Sequence, residues 1–342
     1  MKQIESKYYK MSQIISDLNL PDYRYEQVIK AIFTQRIEQF SKMHLLPGNL
    51  REVLIQEFGD QVNSIVPIVS QDSRQANKLL FQLSDGERIE AIGLHYKQGW
   101  ESFCISSQCG CGFGCGFCAT GTAGLKRNLT ADEITDQLLY FTMKGHKLDS
   151  ISFMGMGDAF ANPHLFDALS ILTDMTLFNL SQRRITISTI GIIPGIQRLT
   201  QDFPQVNLAF SLHSPFEEQR SDLMPVNKRY PLGEVMETLD KHIKRTGRRV
   251  FIAYILLKGV NDSKKHALAV AQMLHGRGSW KHLYHVDLIP YNATDKTFRH
   301  FDTSDRKSIN DFQDILKKSG IHTTVRTQFG GDISAACGQL YC

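Results

Sequence analysis

The sequence predicts an α/β protein: an open, partial (β/α)6 barrel preceded by a small helical domain. Three observations predict it. From about Gly99 onward, short apolar runs alternate with amphipathic stretches six times, the pattern of a parallel sheet with helical crossovers. Six units are too few to close an eight-fold barrel, so the sheet is expected to stay open. Ahead of them, residues 1–70 follow helical spacing instead.

In that first segment, Val28, Ile29, Ile32, Phe33 and Ile37 mark a helix over residues 25–40, with Pro21 and Asp22 as its start signal. A second helix is expected over residues 49–58, stopping near Gly59. Eight basic and eight acidic residues balance here, so charge does not mark the segment as a nucleic-acid module. Residues 78–83 and 88–94 flank Ser84-Asp85-Gly86-Glu87 and predict a β-hairpin. The expected organisation is a helical accessory domain over 1–75, a linking hairpin over 76–98, the partial barrel over 99–300 and a C-terminal extension over 301–342.

Strands of the barrel are expected at residues 102–107, 150–154, 185–190, 207–212, 250–257 and 284–290. Thr130 and Glu133 form a capping box ahead of Ile134, Leu138 and Phe141, and Gly145 is the stop. Further helices are read at 165–172, 195–203, 232–244, 263–274 and 304–318, the last followed by a strand over 323–328.

The bulk numbers set bounds. Of 342 residues, 42% are hydrophobic and 22% charged, an ordinary composition for a globular protein. There is no apolar run of about 18 residues, so no membrane span is expected. The N-terminus has no apolar core of a secretory signal. Seven cysteines is an odd number, and five lie between Cys104 and Cys118. That pattern argues against a secreted disulfide framework and for metal or redox chemistry in a reducing cytoplasm. A net charge of +4 permits a nucleic-acid partner without demanding one.

The most informative stretch is Cys111-Gly112-Phe113-Gly114-Cys115-Gly116-Phe117-Cys118. Thiolates at these spacings can converge on one metal centre, and the glycines let the backbone wrap it. A closed structural zinc or a plain ferredoxin cluster needs a fourth protein ligand. Three ligands on a four-iron cluster leave one iron open. The competing reading is buried or zinc-binding thiols.

In a parallel α/β sheet the site lies at the carboxyl ends of the strands. Gly155-Met156-Gly157-Asp158 follows the second expected strand, and Asp158 can accept hydrogen bonds from an ammonium group. Ser188 lies near the end of the third, Ser211, Leu212 and His213 end the fourth, and Asn292 follows the sixth. Cys104 and the distant Cys337 stand outside the cluster motif. Lys241, Lys244, Arg245, Arg248 and Arg249 form a basic run suited either to phosphates or to a solvated helix end.

Cys111-x3-Cys115-x2-Cys118, Gly155-Met156-Gly157-Asp158 and Ala335-Ala336-Cys337-Gly338-Gln339-Leu340 together resemble the Cfr/RlmN family of radical-SAM (S-adenosylmethionine) RNA methyltransferases, over nearly the whole chain. The stretch from Gly99 to Cys111 and Arg326-Thr327-Gln328-Phe329-Gly330 are more similar to the Cfr branch than to the RlmN branch. The resemblance implies a radical-SAM barrel with a [4Fe-4S] cluster on Cys111, Cys115 and Cys118. It implies S-adenosyl-L-methionine held by Gly157, Asp158, Ser188, Ser211, Leu212, His213 and Asn292. Two SAM molecules are consumed per methylation. The first methylates Cys337, and the second yields a radical that activates that methyl group. The methyl-derived carbon adds to an adenine, and Cys104 releases the adduct by forming a disulfide with Cys337. Glu90 matches a proton acceptor, although an exposed strand carboxylate is the plain alternative.

The implied substrate is one adenosine in the peptidyl transferase centre of 23S rRNA, met in protein-poor or unassembled rRNA. Carbon 8 is the expected target, with antibiotic resistance as the consequence. An RlmN-type carbon-2 methyltransferase and a different radical-SAM enzyme such as an activase are the alternatives. An electron donor such as flavodoxin, a monomeric state and a cytoplasmic location complete the expectation. One departure stands out: Asp158 occupies a position where the family usually has Glu.

Overall fold

The structure is a computed structural model that describes residues 5–327, 329, 333 and 338–340. Cys337 and Cys342 lie outside the described residues.

The N-terminal segment folds into three helices, α1 (Lys7–Asp17), α2 (Tyr23–Phe33) and α3 (Gly48–Phe58). Ser6 caps α1 by accepting from the Tyr9 N–H at 3.3 Å. Their apolar faces close on a core of their own, including Met11, Ile15, Val28, Ile32, Leu50 and Leu54. The helix expected to reach residue 40 stops at Phe33. Arg36 turns the chain with a left-handed φ of 57°, and Phe40 enters the same core from a short 3-10 turn. An apolar residue can thus keep helical spacing in sequence while another element carries it.

Three strands follow: β1 (Val66–Asp72), β2 (Ala76–Gln82) and β3 (Arg88–His95). β2 and β3 form the expected antiparallel hairpin, with Gly86 at a φ of 86° in its turn. β1 has no counterpart among the strands expected from the sequence. Every residue of β1 is exposed and Pro67 sits within it, so it offers no buried alternation to detect and behaves as an edge strand.

β4 (Glu101–Ile105) runs antiparallel to β3, then leads into a small two-stranded unit, β5 (Gln108–Gly110) and β6 (Leu125–Asn128), with the one-turn helix α4 (Ala119–Thr122) between them. Next come α5 (Ala131–Met143), β7 (Ser150–Phe153), α6 (Leu165–Thr173), β8 (Ile185–Thr189), α7 (Ile193–Asp202), β9 (Asn207–Ser211), α8 (Glu217–Leu223), α9 (Leu232–Thr246), β10 (Val250–Leu256), α10 (Lys264–His275), β11 (Tyr284–Pro290), α11 (Arg306–Lys318) and β12 (His322–Val325). The capping box at the start of α5 is complete, with both Thr130 and Glu133 engaged.

All but β5 and β6 join one sheet in the order β1-β2-β3-β4-β7-β8-β9-β10-β11-β12. From β4 to β12 every neighbour is parallel. The six expected strands are present, and the strand expected after the last helix is β12, which pairs in parallel with β11. The hairpin continues this sheet through the β3–β4 pairing. Among the described residues no helix is long and apolar enough to cross a membrane.

A buried ion pair fastens the helical segment to the barrel. The Lys7 ammonium pairs with Asp136 on α5 and donates to the Val62 carbonyl at 2.9 Å, while the Lys7 N–H donates to Asp132 at 2.7 Å. Asp136 also accepts from the Ser64 N–H and hydroxyl, each at 2.7 Å. Removing one partner of such a pair strands a charge in the interior. Lys7→Met is expected to cost about 3–5 kcal/mol, read as a lower midpoint in chemical denaturation; an unchanged midpoint would refute the anchoring role.

Candidate active site

The cysteine loop leaves the carboxyl end of β4 and is folded by glycine. At Gly110, φ is 75° and an added Cβ would lie 1.8 Å from the Gly124 carbonyl oxygen, so only glycine lets β5 and β6 close here. The Cys111 N–H donates to that carbonyl at 2.9 Å, and the Gly116 N–H donates to Leu223 on α8 at 3.0 Å. Held this way, Cys111, Cys115 and Cys118 line one cavity of about 170 Å³ as free thiols. Burial pushes the Cys111 thiol up to about 12, and burial with the neighbouring sulfurs pushes Cys115 well above the usual range. Cys111 and Cys115, desolvated and resistant to ionisation, form stable thiolates only around a cation. No fourth cysteine lines the cavity among the described residues. The donor set therefore fits a four-iron cluster with one iron left to another ligand.

Gly155 and Gly157 form the adjoining wall. A Cβ at Gly155 would lie 2.7 Å from the Ile105 carbonyl, and one at Gly157 would meet the Gln108 side chain at 2.4 Å. The second strand's loop thus packs backbone against backbone on the first. Asp158 is buried and faces the cavity, yet its carboxylate already accepts from the N–H groups of Ile190 at 2.7 Å and Phe160 at 3.0 Å and from the Thr189 hydroxyl at 3.3 Å. Burial nevertheless raises its pKa to about 6. The short side chain ties the β7 loop to the end of β8.

Ser188, Ser211 and His213 line the same cavity, from the ends of β8 and β9. Leu212 contributes backbone: its N–H donates to the Ala253 carbonyl at 3.0 Å. His213 has a left-handed φ of 55°, and its Nδ1 accepts from the Ile255 N–H at 3.0 Å. That bond puts the ring proton on Nε2. Burial, helped by Arg220, drives the pKa down to about 3, so the ring stays neutral. Phe117 of the cysteine loop meets it edge-on, with centroids 4.9 Å apart.

Arg220, on the short helix α8, is fully buried. Its guanidinium donates to the carbonyls of Ile190 at 2.7 Å, Ser211 at 3.1 Å and Leu212 at 3.1 Å, and to the Asn227 side chain. One side chain thus cross-links the ends of β8 and β9. Sequence reasoning missed it, because an arginine among Glu217, Glu218 and Asp222 reads as one more charge on a solvated helix.

A second cavity of about 480 Å³ adjoins the first; both are lined by Met154, Ile289 and Arg326. Cys104, on β4, is in its wall, and Asn292 lines this cavity and not the cluster cavity. Arg326 is held at the seam by Asp287, at 3.1 and 2.9 Å, with Nη1 3.6 Å from the Met154 sulfur. Glu90 is buried and lies 3.1 Å from the Lys78 ammonium, which removes the exposed-carboxylate alternative. It lies outside the lining of both cavities, on the β3 face shared with Ile92 and Leu94, which line the second. Cys337 is outside the described residues, but Gly338 lines the cluster cavity and Leu340 the second. The Gly338 carbonyl accepts from the Ala119 N–H at 2.9 Å, and the Leu340 carbonyl from the Thr120 hydroxyl at 2.7 Å. Cys109 is buried and lines neither cavity.

The basic run lies elsewhere. Lys241, Lys244 and Arg245 end α9, and Arg248 and Arg249 precede β10, so they gather at the amino ends of the strands. The cysteine loop is at the carboxyl ends. Arg248 is engaged by Asn207 at the start of β9.

Residues 105–270 match the model of the radical SAM superfamily. A Clostridium botulinum (strain Langeland) protein named ribosomal RNA large subunit methyltransferase Cfr is 72% identical over 340 residues, covering 99% of this chain and 98% of that protein. The chain belongs to the Cfr family. Cfr proteins of Lachnoclostridium phytofermentans and Bacillus velezensis are 67% and 56% identical, covering 98% and 99% of this chain and 97% of each relative. A solved radical SAM methyltransferase from Sphaerobacter thermophilus superposes with a TM-score of 0.91 at 37% identity, covering 99% of this chain and 98% of that one. Membership in the Cfr family implies a [4Fe-4S] cluster and SAM, and the three-thiol cavity has the donors for the first.

Two outcomes follow from this geometry. Gly157→Val would drive a side chain into Gln108 and is expected to lower iron retention severalfold after anaerobic reconstitution, measured by iron and sulfide content; full retention would refute the packing constraint. For His213 the folded pKa lies below the ordinary value of 6.5, so its stabilising contribution is present above pH 6.5 and lost as pH falls toward 3. The stability gap between wild type and His213→Gln should narrow across that window, by roughly 1.4 kcal/mol per pH unit; parallel urea-denaturation curves at every pH would refute it.

Proposed function

We propose that this chain is a radical-SAM methyltransferase that methylates carbon 8 of one adenosine in the peptidyl transferase centre of 23S rRNA and so confers resistance to ribosome-targeting antibiotics. The observation that carries the proposal is the pairing of cavities: one lined by three thiols and the strand ends, the other by Cys104, meeting at Met154, Ile289 and Arg326. The names of the Cfr relatives supply the substrate class.

In this reading Cys111, Cys115 and Cys118 hold the cluster. The bound cluster and SAM supply one-electron cleavage chemistry and the methyl group, with two SAM molecules used per methylation. Ser188, Ser211 and His213 face the ligand from the third and fourth strands. The neutral His213 presents an Nε2–H donor toward the cavity. Asp158 acts through the backbone it fixes, because its oxygens already accept from protein groups. Gly157 lets the chain pass close to the ligand, Leu212 fixes the end of β9, and Asn292 reaches from the second cavity.

The second cavity takes the target base, extruded from its RNA stack. Cys337 carries the methyl group as S-methylcysteine and bonds covalently to the base. The Cys104 thiol attacks Cys337 sulfur to release the product, leaving a Cys104–Cys337 disulfide. Glu90 accepts the proton lost from the base, with Lys78 holding its charge. The chain acts as a cytoplasmic monomer on protein-poor 23S rRNA and draws electrons from a flavodoxin-type donor.

The test is to incubate the anaerobically reconstituted protein with SAM, a reductant and an rRNA fragment, and to separate the nucleosides by mass spectrometry. 8-Methyladenosine is expected, and Cys337→Ala and Cys104→Ala should abolish its turnover while SAM cleavage persists. 2-Methyladenosine alone would make the protein an RlmN-type enzyme. SAM cleavage with neither product would overturn the RNA assignment.

A further inference from the structure

We propose that His95, Glu101 and His146 form a binding site for a divalent transition metal of the zinc class, at the end of the barrel opposite the cysteine loop. His95 ends β3 and Glu101 begins β4, directly across the antiparallel ladder from each other. His146 stands in the loop after α5, just beyond Gly145, whose φ of 93° turns the chain back toward the sheet. The His95 Nδ1 lies 3.2 Å and the His146 Nδ1 2.9 Å from the same oxygen of Glu101, Oε1. All three ligand atoms fall within 4.8 Å of one another. A triangle of that size has a point about 2–2.5 Å from every corner, the length of zinc–imidazole and zinc–carboxylate bonds.

The donor set selects the metal class. Two imidazoles and one carboxylate suit zinc and its first-row neighbours, whereas calcium and magnesium call for oxygen ligands throughout. The ligands are also held by contacts of their own. The second Glu101 oxygen accepts from the Lys147 N–H at 2.6 Å, and the Glu101 N–H donates to Asp149 at 3.0 Å. The His146 ring packs edge-on against Phe103 and Phe141, at 6.0 and 5.8 Å. Outer contacts of this kind orient metal ligands and add affinity, and Asp149 brings further negative charge beside the site.

Access is open: the side chains of His95, Glu101 and His146 are 36%, 21% and 34% exposed, so water can complete the coordination. Metal binding replaces two Nδ1–H hydrogen bonds to Glu101 by coordination. It joins β3, β4 and the α5–β7 connection at one point. The site lies at the amino end of β4 and the cysteine loop at its carboxyl end, so the metal is a structural clamp and takes no part in methyl transfer.

The experiment uses the full-length chain with its iron–sulfur cluster reconstituted, titrated with Zn²⁺ under anaerobic conditions. Metal content and thermal unfolding are read in wild type, Glu101→Gln and His95→Gln. Glu101→Gln keeps the side-chain volume and a hydrogen-bond acceptor, and His95→Gln changes a different element. The expected result is one zinc per chain beyond the iron in wild type, with a Tm higher by several degrees, and loss of both effects in each variant at unchanged iron content. A wild type that takes up no extra zinc overturns the proposal whatever the variants do. So does zinc uptake equal to wild type in both variants, which would place the ion elsewhere.

Discussion

The rim of this barrel depends on a buried cation. Among the described residues Arg220 has no carboxylate hydrogen-bonded to it; its partners are three backbone carbonyls and the Asn227 amide oxygen. Desolvation lowers its pKa to about 10, which leaves it charged at neutral pH. Asn227 passes the interaction on to Glu217, whose carboxylate it meets at 2.6 Å. A guanidinium in such a place is costly unless negative charge approaches it. Glu217 is the first source of that charge, and the Cys115 sulfur is the second. The group that shapes the ends of β8 and β9 is therefore tied electrostatically to Glu217 and to the cysteine loop, where it opposes the burial that pushes the Cys115 thiol up.

Close backbone approach is the second constraint. Gly155 rests on the Ile105 carbonyl, Gly157 on Gln108, and Gly110 on Gly124. Each contact involves either the β4 end or the segment that follows it, so the cysteine loop is clamped from two sides by chain that lacks side chains at those points. Asp158 completes the clamp by accepting from Ile190 and Phe160. A longer acidic side chain at that position would have to place its carboxylate elsewhere, so this chain's Asp and the short span between the β7 loop and the β8 end belong together.

The sequence made most of the barrel legible because its strands are short apolar or alternating runs: β10 and β11 are buried at nearly every residue, and β7 and β8 alternate buried with half-buried positions. It hid β1, which is exposed throughout, and it overran α2, because Ile37 and Phe40 keep an apolar spacing after the helix has ended. The site was legible where chemistry demands a spacing, as in Cys111, Cys115 and Cys118, and where residues follow strand ends, as in Ser188, Ser211 and His213. Arg220 and Arg326 were hidden for a physical reason. A buried cation is recognised by its partners, and those partners are backbone carbonyls, a neighbouring amide, or an aspartate far away in sequence. The His95–Glu101–His146 group was hidden because it is assembled from two strands and a loop, without a local motif.

The five cysteines between Cys104 and Cys118 show how backbone geometry divides one kind of side chain among different duties. Cys104 lies on β4 and faces the second cavity. Cys109 lies on β5, buried and away from both cavities. Cys111, Cys115 and Cys118 follow a glycine-driven turn and face the first cavity together. In the proposed function a thiol that exchanges disulfides has to stay away from iron, and thiols that hold iron have to stay away from disulfide chemistry. Strand geometry accomplishes this over a short length of chain, since residues on a regular strand have their faces fixed and residues in the loop after it do not. Among the described residues the second cavity meets the first at Met154, Ile289 and Arg326, so Cys104 and the three clustered cysteines share a seam without sharing a wall. The proposed function asks for that separation, because in it one set of sulfurs stays bound to metal while another is alkylated and oxidised.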